Sequence, residues 1–331
     1  MRLLPALLVS LALGCDSTHG DGNAPVDLGG SPGLDAATAP PDVAGGTSLS
    51  GALSGARDVS GEVLVTDDLI INAGASLTLA AGTTVRVATG KRITVRGTLT
   101  ANGTAASPVS IIAYVPTGGS DWEGLGVAGG GSLVLRGTTL RNATVAVQAA
   151  AGSSFDIDGA LIEQSAAAAY LSSSGTIKYS VIHAQGAKQS GEPVVISDAS
   201  PRISDTVIDN ANGGTDMVAV NGVTSGPVFD HVAVQGSHCA FHLNGGIQVT
   251  VTGSLVKDNV YGMMVVGSKN TAVSGNNFTQ NNINIGSCTT GSVTATGNFF
   301  VGEIFDASCA NQTVTGAQNS PLPAVGPRPR P

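Results

Sequence analysis

The strongest constraint on the fold of this chain is an apolar residue that recurs about every 22 residues. Each of these anchors ends a short phrase that begins with a turn residue, as in Gly159-Ala160-Leu161-Ile162. The anchors are Leu140, Ile162, Ile182, Ile208, Val234, Val256, Phe278 and Phe300, separated by 22, 20, 26, 26, 22, 22 and 22 residues. A near-constant period of this length is typical of a solenoid, whose repeats bury their apolar sides against one another.

Other positions repeat in register with the anchors. Five residues after them come Val145, Ala167, Ala187, Gly213, Cys239, Tyr261, Ile283 and Phe305, and seven residues after several of them come Val147, Ala169, Phe241, Met263 and Ile285. Their alternation predicts strands with these side chains pointing inward. The polar turn residues Asn142, Gln164, Asn210, Asn259 and Asn281 predict amide ladders between coils.

The earlier part of the chain has a shorter period. Three strand-like segments (77–79, 85–87 and 93–95) lie eight residues apart, with Gly74, Gly82 and Gly90 at the corners. Three short strands per turn predict an all-β right-handed parallel β-helix of about eleven coils over residues 51–318. A β-sandwich, the competing fold, does not explain columns that stay in register over so many periods.

A resemblance supports this architecture. The passage from Gly97 to Thr104, the segment Pro108–Ile111 and the phrase Trp122-Glu123-Gly124-Leu125 resemble the opening coils of bacterial right-handed β-helix proteins of the pectate-lyase-like superfamily. That superfamily contains polysaccharide enzymes, adhesins and surface lipoproteins, so the resemblance implies a fold and leaves the function open. It also implies that Trp122 is a packing residue.

The two ends of the chain differ from this body. Residues 1–14 have the basic start and short apolar run of a signal peptide, and Leu11-Ala12-Leu13-Gly14-Cys15 resembles a bacterial lipobox, with Ala12 where Leu is usual. We therefore expect Cys15 to carry lipid and to anchor the protein in a bilayer, inner or outer; an ordinary signal peptide is the alternative. Residues 15–50 predict a disordered Gly/Pro/Asp tether, and residues 319–331 a disordered Pro-rich tail that cannot join a sheet.

One outward column offers a candidate catalytic site. The residues directly after the anchors include Arg141, Glu163, His183 and Asp209. Two coils separate Glu163 from Asp209, about 9.6 Å at the sheet spacing, which is near the upper limit for inverting glycosidases. The simpler interpretation is a solvated ladder in which Arg141 pairs with Glu163 and His183 with Asp209. We expect the ladder and no enzymatic activity, and an inverting hydrolase or lyase that uses Glu163, His183 and Asp209 is the alternative.

The sequence predicts neither a metal site nor a cofactor. His231, His238, Cys239 and His242 resemble ligands by type. If Cys239 points inward, however, His238 and His242 lie about 13 Å apart along an extended strand. Cys239 is then a buried thiol without a His or Asp to activate it.

Cys288 and Cys309 are 21 residues apart, about one coil, which predicts a disulfide in the oxidising compartment that a signal peptide implies.

A weak cationic patch of Arg86, Lys91, Arg92 and Arg96 on the first coils could bind an anionic glycan or lipid head group, and solvated strand faces explain it equally.

Charge excludes one class of partner. The chain has 15 Lys and Arg against 23 Asp and Glu, a net charge of −8, and no basic block, so nucleic acid is not expected as a partner. We expect a cell-envelope lipoprotein with a rigid β-helix body and a structural role, or one in binding a glycan or an envelope protein. A polysaccharide-degrading enzyme is the alternative.

Overall fold

A computed structural model describes residues 46–184, 191–209, 214–222, 226–245, 248–286, 288, 290–307, 309 and 311–331. The expected signal peptide, the lipid-bearing Cys15 and most of the expected tether lie outside the described residues. The first strand begins at Thr47, so ordered structure starts within the segment expected to be tether. No helix in this part of the chain is long and apolar enough to span a bilayer.

The described chain is an all-β right-handed parallel β-helix of about eleven turns, as the sequence predicted. Most turns contribute one strand to each of three faces, and every strand pairs in parallel with strands one turn away. We call them the anchor face, the second face and the third face. The first turn is formed by β1 (Thr47–Leu53), which pairs along β3 (Glu62–Ile71), a strand that spans the anchor and second faces.

The anchor face continues with β5 (Thr84–Val87), β8 (Val109–Ala113), β11 (Thr138–Arg141), β14 (Leu161–Glu163), β17 (Val181–His183), β20 (Val207–Asp209), β23 (Ala233–Gln235), β26 (Leu255–Lys257), β29 (Asn277–Thr279) and β32 (Phe299–Phe300). The second face comprises β6 (Arg92–Val95), β9 (Gly124–Val127), β12 (Val145–Ala149), β15 (Ala167–Leu171), β18 (Val194–Ser197), β21 (Val218–Asn221), β24 (Cys239–Leu243), β27 (Tyr261–Val265) and β30 (Ile283–Gly286). The third face comprises β2 (Ala56–Val59), β4 (Ser76–Leu79), β7 (Thr98–Asn102), β10 (Ser132–Arg136), β13 (Ser154–Asp158), β16 (Gly175–Lys178), β19 (Arg202–Ser204), β22 (Val228–Asp230), β25 (Thr250–Thr252), β28 (Thr271–Ser274), β31 (Val293–Thr296) and β33 (Gln312–Thr315).

The anchors form one column inside the coil. Each anchor is the register partner of the next, from Leu140 with Ile162 to Phe278 with Phe300. All are buried except Phe300, which is half-buried in the last turns. The predicted period therefore describes the core of the molecule.

The second predicted column needs a correction. The residues seven after the anchors do stack, but in the longer coils their places are taken by Val194 and Val218, which link Ala169 to Phe241. Ala187 and Gly213 lie outside the described residues, and Phe305 bridges to Ile285 instead of Ile283. The extra residues of the 26-residue coils precede the second-face strands and shift the register there.

The corners follow their local sequence. Gly74, Gly82 and Gly90 have φ angles of 78°, 76° and 70°, which a residue without a Cβ adopts freely. The predicted amide ladder is present at Asn259, whose Nδ2 donates to Asn281 Oδ1 at 3.0 Å. Asn142 and Gln164 are joined through their backbones instead, and Asn210 lies outside the described residues. A second ladder joins Asn276 to Asn298 at the opposite end of the anchor strands.

Two further features were also predicted, a disulfide near the C-terminus and a buried tryptophan in an early turn. Cys288 and Cys309 form a disulfide between successive turns, with their Cα atoms 4.2 Å apart. Trp122 is fully buried and its Nε1 donates to the carbonyl of Arg141 at 2.8 Å, as expected of a packing residue.

The expectation of a disordered tail is wrong. Residues 319–331 join no sheet, but they fold back along the coil and make hydrogen bonds and ion pairs with earlier turns. Proline prevents strand pairing, whereas it does not prevent an extended segment from docking through the side chains and amides between the prolines.

Candidate functional site

A cluster of metal-ligand residue types lies where the second face begins. Asp216 precedes β21, His238 precedes β24, Cys239 opens β24 and His242 lies within it. The pairing of β21 with β24 puts Asp216 one turn from Cys239. Two backbone hydrogen bonds hold the two turns in this register. Met217 N donates to the Cys239 carbonyl at 2.8 Å, and His238 N donates to the Thr215 carbonyl at 3.0 Å.

The side chains of this cluster converge on one carboxylate. Asp216 Oδ1 is 3.1 Å from His238 Nδ1, and Asp216 Oδ2 is 2.5 Å from His242 Nδ1. Cys239 Sγ is 3.3 Å from His238 Nδ1. One ligand atom each from Asp216, His238 and Cys239 lie within 4.8 Å of one another, so the three could share an ion.

This geometry corrects two expectations. The separation expected between His238 and His242 does not keep them apart, because both imidazoles turn towards the same carboxylate one coil away. Cys239 is a buried thiol outside any disulfide, as predicted, yet a His and an Asp do lie beside it. The fourth residue considered, His231, contacts Asp230 at 2.7 Å on the third face.

The electrostatics of the cluster favour an ionised carboxylate. Burial alone would raise the pKa of Asp216, but hydrogen bonds from His242, Cys239 and His238 outweigh it and lower the pKa to about 2. The His238 ring also packs edge-on against Tyr261, with 5.6 Å between ring centroids. An ionised carboxylate therefore lies beside an imidazole and a cysteine sulfur at neutral pH.

A cysteine, a histidine and an aspartate could also form a catalytic triad, but the imidazole nitrogens of His238 are not arranged for one. In such a triad the imidazole uses one nitrogen for the nucleophile and the other for the carboxylate. Here His238 presents Nδ1 to both Cys239 and Asp216. Convergence of three atoms on one point is the arrangement of a ligand set, and it can hold a soft or borderline transition metal.

Sequence reasoning missed Asp216 because of the long coils. Asp216 precedes Cys239 by 23 residues, close to one ordinary period, whereas the anchors on that coil are 26 apart. Counting back from Cys239 by the ordinary period of 22 reaches Met217, the residue next to Asp216, so this count would have pointed to the right place in the coil.

The outward column forms the predicted pairs, although Asp209 is buried where a solvated ladder was expected. Arg141 Nε donates to Glu163 Oε1 at 2.6 Å, and His183 Nδ1 lies 2.5 Å from Asp209 Oδ1. Each candidate catalytic carboxylate is thus engaged by a basic side chain one turn away. A shallow depression among the described residues is lined by Gly236, Ser237, Asp258, Asn259, Val260, Gln280 and Asn282 and includes none of these side chains. Catalysis by Glu163, His183 and Asp209 stays a prediction.

Acidic neighbours compensate most of the cationic patch. The ion pairs are Arg86 with Glu62 at 3.2 Å, Lys91 with Asp67 at 2.8 Å and Arg92 with Glu123 at 3.9 Å, while Arg96 is exposed. The patch therefore has little net positive charge, and binding of an anion by Arg86, Lys91, Arg92 and Arg96 stays a prediction.

Comparisons with known proteins add one family. A family model described as "Periplasmic copper-binding protein (NosD)" matches residues 102–303. No curated protein matches significantly. Among solved structures, the A-module of Azotobacter vinelandii mannuronan C-5 epimerase AlgE6 is 14% identical over 87% of this chain and 92% of its own, with a TM-score of 0.36. The corresponding AlgE4 module is 11% identical over 86% and 90%, with a TM-score of 0.37. Similarity this low says nothing about what this chain binds.

Proposed function

We propose a function from one premise: this chain belongs to the NosD family, whose model covers most of its length. The proposed function is non-catalytic binding of a copper ion in the bacterial periplasm, on a rigid β-helix body. The observation that carries it is the convergence of Asp216, His238 and Cys239 within 4.8 Å. The family description names copper, and these three residues supply donors that suit that metal.

The donor set fits copper by its chemistry. A Cys sulfur is a soft ligand that selects for Cu(I), and an imidazole nitrogen suits copper in either oxidation state. Asp216 adds a negative charge, and His242 holds its second oxygen, as outer-shell partners commonly do for metal ligands. A bound copper ion would supply a polarising or redox-active centre, and the chain's own residues hold, orient and partly shield it.

The proposed location follows from the family description, which says periplasmic. The predicted signal peptide and the disulfide both support an envelope or extracellular location. We further propose that Cys15 carries the lipid anchor. Mass spectrometry of the mature N-terminus tests this separately, and an unmodified N-terminus at another residue would contradict it.

Copper titration of the full chain tests the proposed site. Under reducing conditions that leave the disulfide intact, Cu(I) is titrated in competition with a chromogenic chelator. We expect one Cu(I) per chain, and at least about a tenfold loss of affinity in Cys239→Ser and in His238→Gln, since each removes a ligand.

A matched control comes from the outer ladder. His183→Gln removes a histidine that also contacts an aspartate, Asp209, but that lies on the anchor face and not on the second face with the copper cluster. Its copper affinity should equal that of the unchanged protein, and circular dichroism should show that all variants keep the β fold. No copper binding, or equal losses in His183→Gln and His238→Gln, would contradict the proposal.

A further inference from the structure

The C-terminal segment occupies a groove along one corner of the coil. The corner lies between the third face and the anchor face, where each turn passes from one to the other. Residues 321–331 run along it from the level of Asn277 back to the level of Asp158. The tail thus crosses the turns from β28 to β13 in the direction opposite to the stacking of the coils.

The contacts begin with backbone recognition. Leu322 N donates to Asn277 Oδ1 at 2.9 Å, and Asn277 Nδ2 donates to the Leu322 carbonyl at 3.1 Å. Further along, Gly326 is buried and its N donates to the Gly253 carbonyl at 2.8 Å. Both bonds use backbone amides of the segment, so its main chain lies against the coil at these two levels.

The far end of the groove is acidic and holds two arginines. Arg328 binds Asp205 through Nε at 2.6 Å and Nη2 at 2.9 Å, and its Nη2 lies 3.5 Å from Asp230. Arg330 Nη2 lies 3.0 Å from Asp158, and its guanidinium stacks over the Tyr179 ring at 5.9 Å. The paired geometry at Asp205 is specific for a guanidinium, since an ammonium cannot make both bonds in one plane.

The segment descends the corner in two stages. From Leu322 to Gly326 it moves down only about one turn, because the chain turns at residues 323–324 and has positive φ angles at Ala324 (58°) and Gly326 (85°). Beyond Gly326, the arginines 328 and 330 alternate with the prolines 327, 329 and 331. Two residues of polyproline-like chain advance about 6 Å, whereas two turns of the coil rise about 10 Å, so the long arginine side chains cover the remaining distance.

We propose that this corner is a binding site for extended Arg- and Pro-rich polypeptide, which the chain's own residues 321–331 occupy in cis. The site combines an amide clamp at Asn277, a backbone acceptor at Gly253 and a bidentate acid at Asp205. An occupant held by so few contacts can be displaced by another segment with the same alternation. The proposal is independent of copper binding.

A peptide-binding experiment on the full chain tests the proposal. The double variant Arg328→Gln/Arg330→Gln weakens the hold of its own tail, and a fluorescent peptide of residues 319–331 is titrated into it at low salt. We expect saturable binding at least about tenfold tighter than to the unchanged protein, whose groove is filled. Adding Asp205→Asn to the double variant should abolish most of that binding, as should replacing both arginines of the peptide by glutamine.

Hydrogen exchange reports the cis contact independently. The Gly326 amide should exchange slowly in the unchanged protein and fast in Arg328→Gln/Arg330→Gln, whereas Arg86→Gln, which breaks an exposed ion pair on an early turn, should leave it slow. Binding that is insensitive to Asp205→Asn, absence of saturable binding to the double variant, or fast exchange of Gly326 in the unchanged protein would each overturn the proposal.

Discussion

At the residue scale, buried amides hold consecutive turns together. Asn276 is fully buried, and its side chain accepts from Ser254 N at 2.7 Å and donates to the Val251 carbonyl and to Asn298 Oδ1, both at 2.9 Å. Removal of the side chain would take these hydrogen bonds from Ser254 N and from the Val251 carbonyl, whereas Asn298 Oδ1 would keep the bond that it accepts from Asn276 N. Substitution of Asn276 is therefore expected to lower the stability of the protein by more than the size of its side chain suggests.

We expect Asn276→Ala to lower the free energy of unfolding by about 1–3 kcal/mol, because it leaves a buried backbone donor and a buried acceptor unsatisfied. Urea denaturation followed by circular dichroism measures the change. Asn282→Ala is the control, since Asn282 is exposed and should change stability by less than about 0.5 kcal/mol. Equal effects of the two substitutions would contradict the role assigned to the ladder.

The same residues show what a sequence reveals at this scale. The anchor column was predictable because apolar identity and spacing are repeated eight times, and no long-range information is needed. The copper cluster was not, because Asp216 enters it through a register shift that depends on where the extra residues of a long coil lie. Repetition predicts the core, whereas irregular coils must be seen in three dimensions.

At the element scale, the disulfide protects the final turns. Cys288 and Cys309 close a loop of 21 residues, and β33 is the last strand of its face. Closing a loop of this length is worth roughly 3 kcal/mol by the chain-entropy estimate. Without it, the terminal turn has a neighbour on one side only and is expected to fray.

We therefore expect Cys288→Ser to accelerate hydrogen exchange in residues 291–315 while exchange in β3 to β8 stays unchanged. Mass spectrometry of peptides from both regions makes the comparison within one sample. Cys239→Ala, which removes a thiol outside the disulfide, is the control and should not expose the last turns. Acceleration in the first turns as well would mean that the disulfide stabilises the whole coil.

The docked tail is an element whose stability depends on pH. The side-chain hydrogen bond from Arg328 is the main cause that lowers the pKa of Asp205 below its ordinary 3.8. Asp230 and His231 also face this pair, and the pKa of Asp230 is lowered too. A lowered pKa means that ionised Asp205 contributes docking free energy above its ordinary pKa and loses it as pH falls through the lowered value.

Slow exchange of the Gly326 amide should accordingly persist from about pH 7 down to about pH 4 and be lost below that, after correction for the intrinsic pH dependence of exchange. Arg328→Gln should abolish this acid transition, because the carboxylate then has no guanidinium to hold. A transition of the same size in that variant would show that another group controls docking.

At the scale of the whole described coil, stability is a sum of neighbouring interfaces. Each turn pairs only with the turn before it and the turn after it, apart from the tail that runs along one corner. A repeat architecture of this kind unfolds by regions, and a local defect weakens its own region most. This property was predictable from the period alone, whereas the corner contact of the tail was not, since prolines gave no sign of a docking site.

Phe278→Ala tests this regional behaviour. Phe278 is fully buried and stacks on Phe300 at 5.1 Å, so its truncation should cost about 3–5 kcal/mol locally. We expect hydrogen exchange to accelerate strongly in β26 to β32, weakly in β20, and not at all in β3 to β8. Val85→Ala, a buried substitution in the same column near the other end, should give the reverse gradient. If both variants accelerate exchange uniformly along the coil, all turns unfold as one cooperative unit and the nearest-neighbour description fails, because coupling must then extend much further than the pairing of adjacent strands.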